Sequence, residues 1–308
     1  MRNLRPEMTD LSPFLPLPAT PGASHLFTVD VEDYFQVVAL EGVVDRARWA
    51  EYPSRVEANT DRLLALLAEL GVQGTFFTLG WVAEHHPGIV RRIAAAGHEV
   101  ASHGQWHRRV TRLTPDEFRA EVRESRARLE DLAGAPCLGY RAPSFSIVPG
   151  VEWAFDVLLE EGYRYDSSLF PVNRPDYGYP GIPETPFLIR RPAGTLLELP
   201  LATGRLGPLR YPAAGGGYLR QFPPTLLHRA FRQHQARGHS AAFYIHPWEY
   251  DDGQPRLPVG RVTRFRHYHN LDRTWDRMRG LLEGFPFTSV AARFGALAEP
   301  ALLAGEAR

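Results

Sequence analysis

Two histidines and a group of acids are the first residues in this sequence whose types and spacing could do chemistry. His103 and His107 stand four positions apart in ASHGQWH. If the segment turns like a helix, this spacing lets both imidazoles face one metal ion. A divalent ion also needs a third ligand, usually a carboxylate, and an open position for water. The stretch TVDVED, which contains Asp30, Glu32 and Asp33, can supply that carboxylate.

The acids of TVDVED follow a short apolar run, and this placement favours a buried site over a solvated loop. A strand end inside a sheet does not usually place acids there without partners. Strand parity puts Asp30 and Glu32 on one side, whereas a chain that turns directly after Asp30 would bring Asp33 inward. Either Glu32 or Asp33 is therefore expected as the third ligand. Two imidazoles and one carboxylate suit Zn²⁺ first, with Co²⁺, Ni²⁺ and Fe²⁺ as alternatives.

Strand-like and helix-like segments alternate from His25 onward and would position these residues. HLFTVD, GTFFTLG and HEVASHG are strand candidates, and TPDEFRAEVRESRARLEDLAG is the clearest helix, with Thr114 as its cap. The segment NTDRLLALLAELG predicts a helix that is capped by Asn59 or Thr60 and ends at Gly71. Repeated strand–helix units over this length predict a parallel α/β fold, either a barrel or an open sheet.

Five polar residues follow the predicted strands directly: Asp30, His103, Arg141, Asp166 and His246. In parallel α/β folds the chemistry collects at the carboxyl ends of the strands. We therefore expect these residues to share one site.

Five segments of the sequence match, in order, a known set of motifs. TVDVED, SHGQWH, GYRAPSF, YDSSLF and FYIHPW resemble the motifs of the NodB-homology polysaccharide deacetylases, carbohydrate esterase family four. The ordered set covers about residues 25–250 and is more specific than any one member. FTVDVEDYFQV, GGGYLRQFP and the sequence from IHPWEYDDGQPRLP to about residue 292 are similar to the deacetylase subfamily found at exosortase (PEP-CTERM) exopolysaccharide loci.

The resemblance implies a role for each matching residue. Asp30 matches the general base, and Arg141 matches the arginine that pairs with the base and positions it. His103 and His107 match the two metal-binding histidines. His246 matches the histidine that protonates the leaving amine.

Four further residues are candidates on the same grounds. Asp166 matches a groove-lining motif whose acid is hydrogen-bonded near the site. Pro143 and Phe145 of RAPSF are candidates for substrate contact, as is Trp248, which could stack on a sugar or pack in the core. The first motif departs from the family's common TFDDG form, in which base and metal ligand are adjacent, and this leaves the third ligand open.

The architecture that the resemblance implies is an α/β protein, a distorted (β/α) barrel of the NodB-homology type. Residues 1–24 are Pro-rich and are expected to form a flexible or surface-laid arm. Residues 25–292 are expected to form the deacetylase domain, and residues 293–308 are expected to form a tail. Within the domain, residues 171–223 form a Pro/Gly-rich insertion, and residues 250–292 form a subfamily-specific helical extension.

Composition argues against several classes of partner. The 308 residues include 35 basic and 35 acidic ones, so the chain has no formal net charge. This balance argues against nucleic acid and gives no electrostatic reason to bind an anionic membrane. No stretch approaches the roughly 20 apolar residues of a membrane span. The single cysteine favours the cytoplasm without deciding it, and the absence of a signal-peptide core predicts a protein of the cytoplasm. The subfamily resemblance implies a bacterial source.

The expected function is metal-dependent removal of acetyl groups from N-acetylated amino sugars of an exopolysaccharide or its precursor. This is hydrolysis of a linear amide C–N bond. The expected partner is the glycan substrate, and proteins of an exopolysaccharide synthesis locus are candidate partners. One alternative is a small-molecule amidohydrolase that acts on formamides or ureides. The other is a non-catalytic carbohydrate-binding module, which predicts loss of Asp30, a histidine ligand or His246, and none is lost.

Overall fold

The computed structural model describes residues 13–174 and 177–295. Its strands are β1 (Phe14–Pro16), β2 (His25–Val31), β3 (Thr75–Thr78), β4 (Glu99–Ser102), β5 (Gly139–Tyr140), β6 (Tyr165–Asp166), β7 (Phe187–Arg191), β8 (Gly194–Glu198), β9 (Thr203–Leu206), β10 (Leu209–Pro212), β11 (Ala242–Ile245) and β12 (Phe287–Thr288). Its α-helices are α1 (Val56–Leu70), α2 (Gly80–His85), α3 (Pro87–Ala95), α4 (Pro115–Ala133), α5 (Trp153–Glu160), α6 (Gly216–Gln221), α7 (Pro224–Ala236), α8 (Arg261–Tyr268), α9 (Leu271–Gly284) and α10 (Val290–Phe294).

A curved, mostly parallel sheet organises the chain. Seven strands run parallel to their neighbours in the order β11–β2–β3–β4–β5–β6–β8. An isolated parallel bridge joins Leu201, just beyond β8, to Ala242 of β11, so the two ends of this run meet. Helices connect most of the successive parallel strands. The predicted fold class, a distorted (β/α) barrel, is confirmed.

The hydrophobic core involves β2 and the helices that cover the sheet. Every residue of β2 is buried, including Phe27 and Val29. Helix α1 contributes Leu63 and Leu67 to the same core and ends at Gly71 (φ 65°), as predicted, in a conformation that glycine adopts readily. Because β3 and β11 flank β2, the residues that follow β2 are enclosed by protein.

Helix α1 begins earlier than the sequence predicts. Asn59 or Thr60 is the expected cap, but the helix starts at Val56. The backbone amides of Arg55 and Val56 donate to Asp33 Oδ2, at 2.8 and 3.1 Å. The acceptor for this helix end therefore comes from the acidic motif itself, and the predicted cap is wrong.

The segment predicted as an insertion, residues 171–223, takes part in the sheet. It contains β7 and β8, which are antiparallel to each other, and the hairpin β9–β10. Strand β1 of the N-terminal arm pairs with β7, so the arm lies along the sheet from residue 13 onward. The rest of the arm (1–12) and the last part of the tail (296–308) lie outside the described residues. The domain boundaries stay predictions.

The predicted helical extension, residues 250–292, contains α8, α9 and the start of α10, and it also contains β12, which pairs with β2. Among the described residues, no helix combines the length and the apolar character that a bilayer crossing requires.

Candidate active site

Three buried side chains converge at the carboxyl end of the sheet. Glu32 follows β2, and His103 follows β4, with His107 four residues later. One ligand atom from each lies within 4.8 Å of the others. His107 Nε2 is 2.8 Å from Glu32 Oε2, but the contact does not have the angle of a hydrogen bond, and no other group in the described chain donates to this buried oxygen. Such an orphaned buried oxygen fits a cation bound between these groups.

The chemistry of this donor set also fits a divalent metal. Burial would raise the pKa of Glu32, but the neighbouring imidazoles of His107 and His246 lower it to about 2, so Glu32 is ionised. Burial lowers the pKa of His103 to about 4, which leaves its imidazole neutral. A neutral imidazole and a carboxylate are the forms that coordinate metals.

Outer partners fix the orientation of two of these ligands. His103 Nδ1 lies 2.9 Å from the carbonyl oxygen of Arg141 and donates to it, which turns Nε2 toward the cluster. Trp248 Nε1 donates to Glu32 Oε1 at 3.2 Å. Hydrogen bonds of this kind hold metal ligands in place and set their basicity.

The structure keeps Asp33 away from this cluster. Asp33 Oδ2 accepts hydrogen bonds from Ser54 Oγ and from the amides of Arg55 and Val56. Asp33 Oδ1 accepts from the amide of Tyr34. This placement corrects Asp33 as a candidate ligand, because both of its oxygens are engaged elsewhere, and it leaves Glu32 as the acid of the cluster.

Asp30 sits beside the cluster in a fixed position. Its Oδ1 accepts a hydrogen bond from the guanidinium of Arg141 at 2.7 Å. Arg141 is fully buried and also donates to Thr28 Oγ1 and to the backbone and side-chain oxygens of Ser167. Three hydrogen bonds thus fix Arg141, and Arg141 in turn fixes Oδ1 of Asp30. The other oxygen, Asp30 Oδ2, points toward the cluster and lies 3.8 Å from His246 Nε2.

His246 reaches this position because β11 pairs with β2. The register joins Ile245 to Val29, which places His246 beside Asp30. His246 Nε2 also lies 3.4 Å from Glu32 Oε1. Four of the five strand-end residues that were expected to share one site therefore lie together: Asp30, His103, Arg141 and His246.

Glu249 and Arg220 form a buried pair on the Nδ1 side of His246. Neither was among the predicted site residues. Glu249 Oε2 is 3.0 Å from His246 Nδ1, and Glu249 Oε1 is 3.1 Å from the guanidinium of Arg220. Burial would lower the pKa of His246, but the carboxylates of Glu249 and Glu32 raise it to about 9. A Cβ on Gly216 would lie 2.0 Å from the Glu249 carboxylate, so only glycine fits there. The spacing of three residues between His246 and Glu249 in HPWE is the sequence feature that could have indicated this contact.

Trp248 does not face open space. It is 6% exposed, and its indole stacks on the imidazoles of His246 and His267, with ring centroids 5.1 and 4.3 Å apart. This placement corrects the expectation of sugar stacking, because little of the ring is left for a ligand. Trp248 acts on Glu32 instead, as a hydrogen-bond donor.

The turn after Arg141 carries Pro143 and Phe145, which are both buried. Phe145 packs edge-on against Tyr244, with ring centroids 4.8 Å apart. Asp166 supports the same turn. It accepts from Ser168 Oγ at 2.6 Å, and this hydroxyl in turn accepts from the amide of the residue after Arg141. These contacts make Asp166 a positioning residue of the turn.

Strained backbone marks this region. His107, Ser144 and Phe145 have φ of 51°, 55° and 53°, in the left-handed region that non-glycine residues rarely adopt. Asn270 is the one other non-glycine residue with positive φ in the described ranges. Such conformations persist only where the surroundings impose them, and they cluster at functional sites.

Comparisons with known proteins match most of the chain in two parts. Residues 49–154 match a family model described as polysaccharide deacetylase, and residues 167–294 match one described as a domain of unknown function, DUF3473. A peptidoglycan-N-acetylglucosamine deacetylase from Bacillus cereus is 34% identical over 120 residues, which are 35% of this chain and 44% of that protein. A chitooligosaccharide deacetylase from Rhizobium leguminosarum is 41% identical over 66 residues, 21% of this chain and 31% of that protein.

The chain thus spans less than half the length of these two curated relatives. A crystal structure from Mycobacterium smegmatis, of a protein provisionally called a polysaccharide deacetylase, is 23% identical and has a TM-score of 0.54. The match covers 92% of this chain and 93% of that one, and it shows a shared fold. Asp30 and Glu32 lie outside both family matches, so their places in the site come from the geometry.

Proposed function

We propose that this chain, for which the family model and the curated relatives support the NodB-homology polysaccharide deacetylase family, is a metal-dependent N-deacetylase. Its proposed substrate is an N-acetylated amino sugar of an exopolysaccharide or of its precursor. One observation carries the proposal: Asp30 and His246 face each other beside the cluster of Glu32, His103 and His107. A base, an acid and a metal-ligand set in one place are what hydrolysis of an amide requires.

The cluster would hold the metal. A divalent ion there would polarise the amide carbonyl and lower the pKa of a water molecule toward neutrality. Zn²⁺ is the proposed ion, and the ligand set also suits Co²⁺, Ni²⁺ or Fe²⁺. Trp248 and the carbonyl of Arg141 hold two of the three ligands in orientation.

Asp30 is the proposed general base. Arg141 occupies Oδ1, so Oδ2 is the oxygen left to accept the proton of the attacking water. The arginine also prevents the side chain of Asp30 from rotating, because the guanidinium is itself anchored to Ser167 and Thr28.

His246 is the proposed general acid. Its Nδ1 faces Glu249, so the proton that it gives to the leaving amine comes from Nε2, on the Asp30 side. A pKa of about 9 keeps the imidazole protonated near neutral pH. Without this proton the amine is a poor leaving group.

The exopolysaccharide assignment rests on the subfamily resemblance. The second family match, over residues 167–294, covers two of the segments that carry it, GGGYLRQFP and the sequence after His246. In the fold, these segments supply Arg220 and Glu249, which hold the general acid. The relatives' substrates, peptidoglycan N-acetylglucosamine and chitooligosaccharides, are N-acetylated glycans by their names.

An acetate-release assay on the metal-loaded protein tests the proposal. Chitooligosaccharides, an N-acetylated exopolysaccharide and small formamides or ureides are the three substrate arms, and bound metal is measured by mass spectrometry. We expect acetate from a glycan arm, and loss of activity in Asp30→Asn with its metal retained. His103→Ala should lose both metal and activity. Robust acetate release that survives both substitutions would refute the mechanism, and turnover restricted to the small amides would refute the substrate.

A further inference from the structure

A buried histidine in the helical extension, His267, takes no part in the mechanism above. It lies on the last turn of α8 and is only 3% exposed. Burying an imidazole costs free energy unless its polar atoms are bonded, so its position needs a physical reason. The ring lies against the indole of Trp248, which donates to the proposed metal ligand Glu32.

Gln254 determines which nitrogen of His267 carries a proton. The Nε2 of Gln254 donates to the carbonyl oxygens of Trp248 and Asp251, at 2.7 and 3.0 Å. These two bonds fix the orientation of the amide, so its Oε1 faces His267 Nε2 at 3.0 Å. Because Oε1 can only accept, His267 Nε2 is the donor. Burial and the charge of Arg220 lower the pKa of His267 to about 3, so the ring is neutral.

The backbone around His267 is fixed by Arg220 of α6. The buried guanidinium donates to three carbonyl oxygens at the end of α8, at 3.0 to 3.1 Å. Asn270, whose φ is 57°, turns the chain directly afterwards, and its side chain donates to the carbonyl oxygen of Arg220 at 2.9 Å. Arg220 also pairs with Glu249, the partner of His246. The end of α8 therefore has a set position relative to the proposed general acid.

Three aromatic rings stack in succession from this helix end into the site. The planes of His267 and Trp248 are 12° apart, and their centroids are separated by 4.3 Å. The planes of Trp248 and His246 are 23° apart, and their centroids are separated by 5.1 Å. The imidazole of His267 is thus nearly parallel to the indole and packs directly against it.

The plane of the indole decides whether Trp248 can donate to Glu32. The Nε1–H bond lies in that plane, and its 3.2 Å contact with Glu32 Oε1 is at the long end of the range for hydrogen bonds. A hydrogen bond weakens steeply as its angle closes, so a modest tilt of the ring would remove it. A flat ring packed against the indole resists such a tilt, whereas a flexible side chain of similar size does not.

We propose that His267 is a positioning residue: its ring holds the indole of Trp248 in the plane from which Nε1 donates to Glu32. The extension thereby sets how tightly the cluster of Glu32, His103 and His107 binds its metal, through contacts that lie outside the cluster. The inference rests on the proposed function and deepens it, since it adds a residue of the extension to those that determine the metal site.

Two substitutions separate the flat ring of His267 from its hydrogen bond. His267→Phe keeps the ring and removes the donor to Gln254, whereas His267→Gln keeps a donor and removes the ring. Zn²⁺ affinity of the metal-free chain is measured by chelator competition, and stability by urea unfolding. His267→Gln should bind Zn²⁺ about tenfold more weakly, and His267→Phe as tightly as the parent. His267→Phe should instead unfold at a lower urea concentration, because Gln254 Oε1 is left buried without a donor.

His269→Ala is the matched control. His269 is exposed, lies two positions further on, and stacks on the exposed ring of Phe265, so this variant should match the parent in Zn²⁺ affinity. Zn²⁺ affinity of His267→Gln equal to the parent's overturns the positioning role, as does a loss in His267→Phe at least as large as in His267→Gln. A parent that binds no Zn²⁺ overturns the positioning role together with the proposed function.

Acetate release is measured separately, so that the two ideas can fail independently. Zn²⁺ affinity that depends on the ring at position 267, but without acetate release, supports the positioning role and refutes the proposed deacetylation. Acetate release by a parent whose Zn²⁺ affinity is indifferent to that ring does the reverse.

Discussion

Replacing Glu249 with glutamine tests how the structure keeps His246 in its acid form. Burial alone would lower the pKa of His246, and the charges of Glu249 and Glu32 raise it to about 9. A divalent ion on Glu32 would offset that residue's charge, which leaves Glu249, 3.0 Å from Nδ1, as the main anion that faces the imidazole. Glutamine keeps the shape of the side chain and removes the charge.

The size of the effect follows from two pKa values. With its pKa raised toward 9, His246 is mostly protonated at pH 7.5, whereas at its ordinary 6.5 only about one tenth is protonated. Because the proposed role of the protonated imidazole is to supply the leaving-group proton, kcat/KM at pH 7.5 should fall about tenfold. A raised histidine pKa preserves the acid to higher pH. The parent should therefore keep its activity to higher pH than the variant, which should lose activity as pH rises through about 6.5 or below.

The assay is a pH–rate profile of acetate release between about pH 5 and pH 10, with metal content and thermal unfolding recorded for each protein. Arg220 keeps its hydrogen bonds to the carbonyl oxygens of residues 266, 267 and 269, so the variant should still fold. Glu283→Gln, at an exposed position on α9, is the control and should follow the parent. If the rate of acetate release falls at the same alkaline pH in the parent and in Glu249→Gln, the reasoning is refuted.

Three further substitutions separate the roles of buried groups. Asp33→Asn should retain metal but lower the free energy of unfolding by about 1–2 kcal/mol, measured by urea titration, because the first amides of α1 lose a charged acceptor; loss of metal would contradict this. Trp248→Phe should weaken metal affinity about tenfold in a chelator competition while the fold is kept, because Glu32 loses its indole donor; unchanged affinity would count against that bond. Burial and the charge of Asp166 raise the pKa of Glu198 well above its ordinary value. The folded state therefore binds the extra proton, and its stability falls as pH rises above about 4.5. Glu198→Gln should accordingly gain stability relative to the parent as pH rises above about 4.5, by about 1.4 kcal/mol per unit of raised pKa; a difference that does not change with pH would contradict the assignment.

The strand-end residues could be predicted because short apolar runs mark the strands that deliver them. Asp30, His103 and His246 each follow such a run, and parallel strands bring their carboxyl ends to one edge. The period of two along a strand favoured Glu32 only if the strand continued past Asp30, so the sequence left the acid of the cluster open between Glu32 and Asp33. Strand β2 continues through Val31, so the chain does not turn directly after Asp30, and Glu32 points to the same side as Asp30.

Partners that come from distant parts of the chain could not be predicted. Trp248 reaches Glu32 across 216 positions, and no local pattern marks that contact. The cap of α1 was misplaced for the same reason, since its acceptor is Asp33, 22 positions before Arg55. Local sequence signals describe a helix end only when the acceptor is local too.

The position of β2 between β3 and β11 has a consequence for the newly made protein. The ribosome produces β2 early, but its neighbour β11 lies more than 200 residues later. At about 5–20 residues per second, one edge of β2 waits about 10–40 s for its partner. A nascent chain that stops short of β11 carries Glu32, His103 and His107 but lacks His246. Synthesis therefore passes through a stage that has the three proposed metal ligands but not the proposed general acid, with an apolar strand edge that a chaperone could recognise.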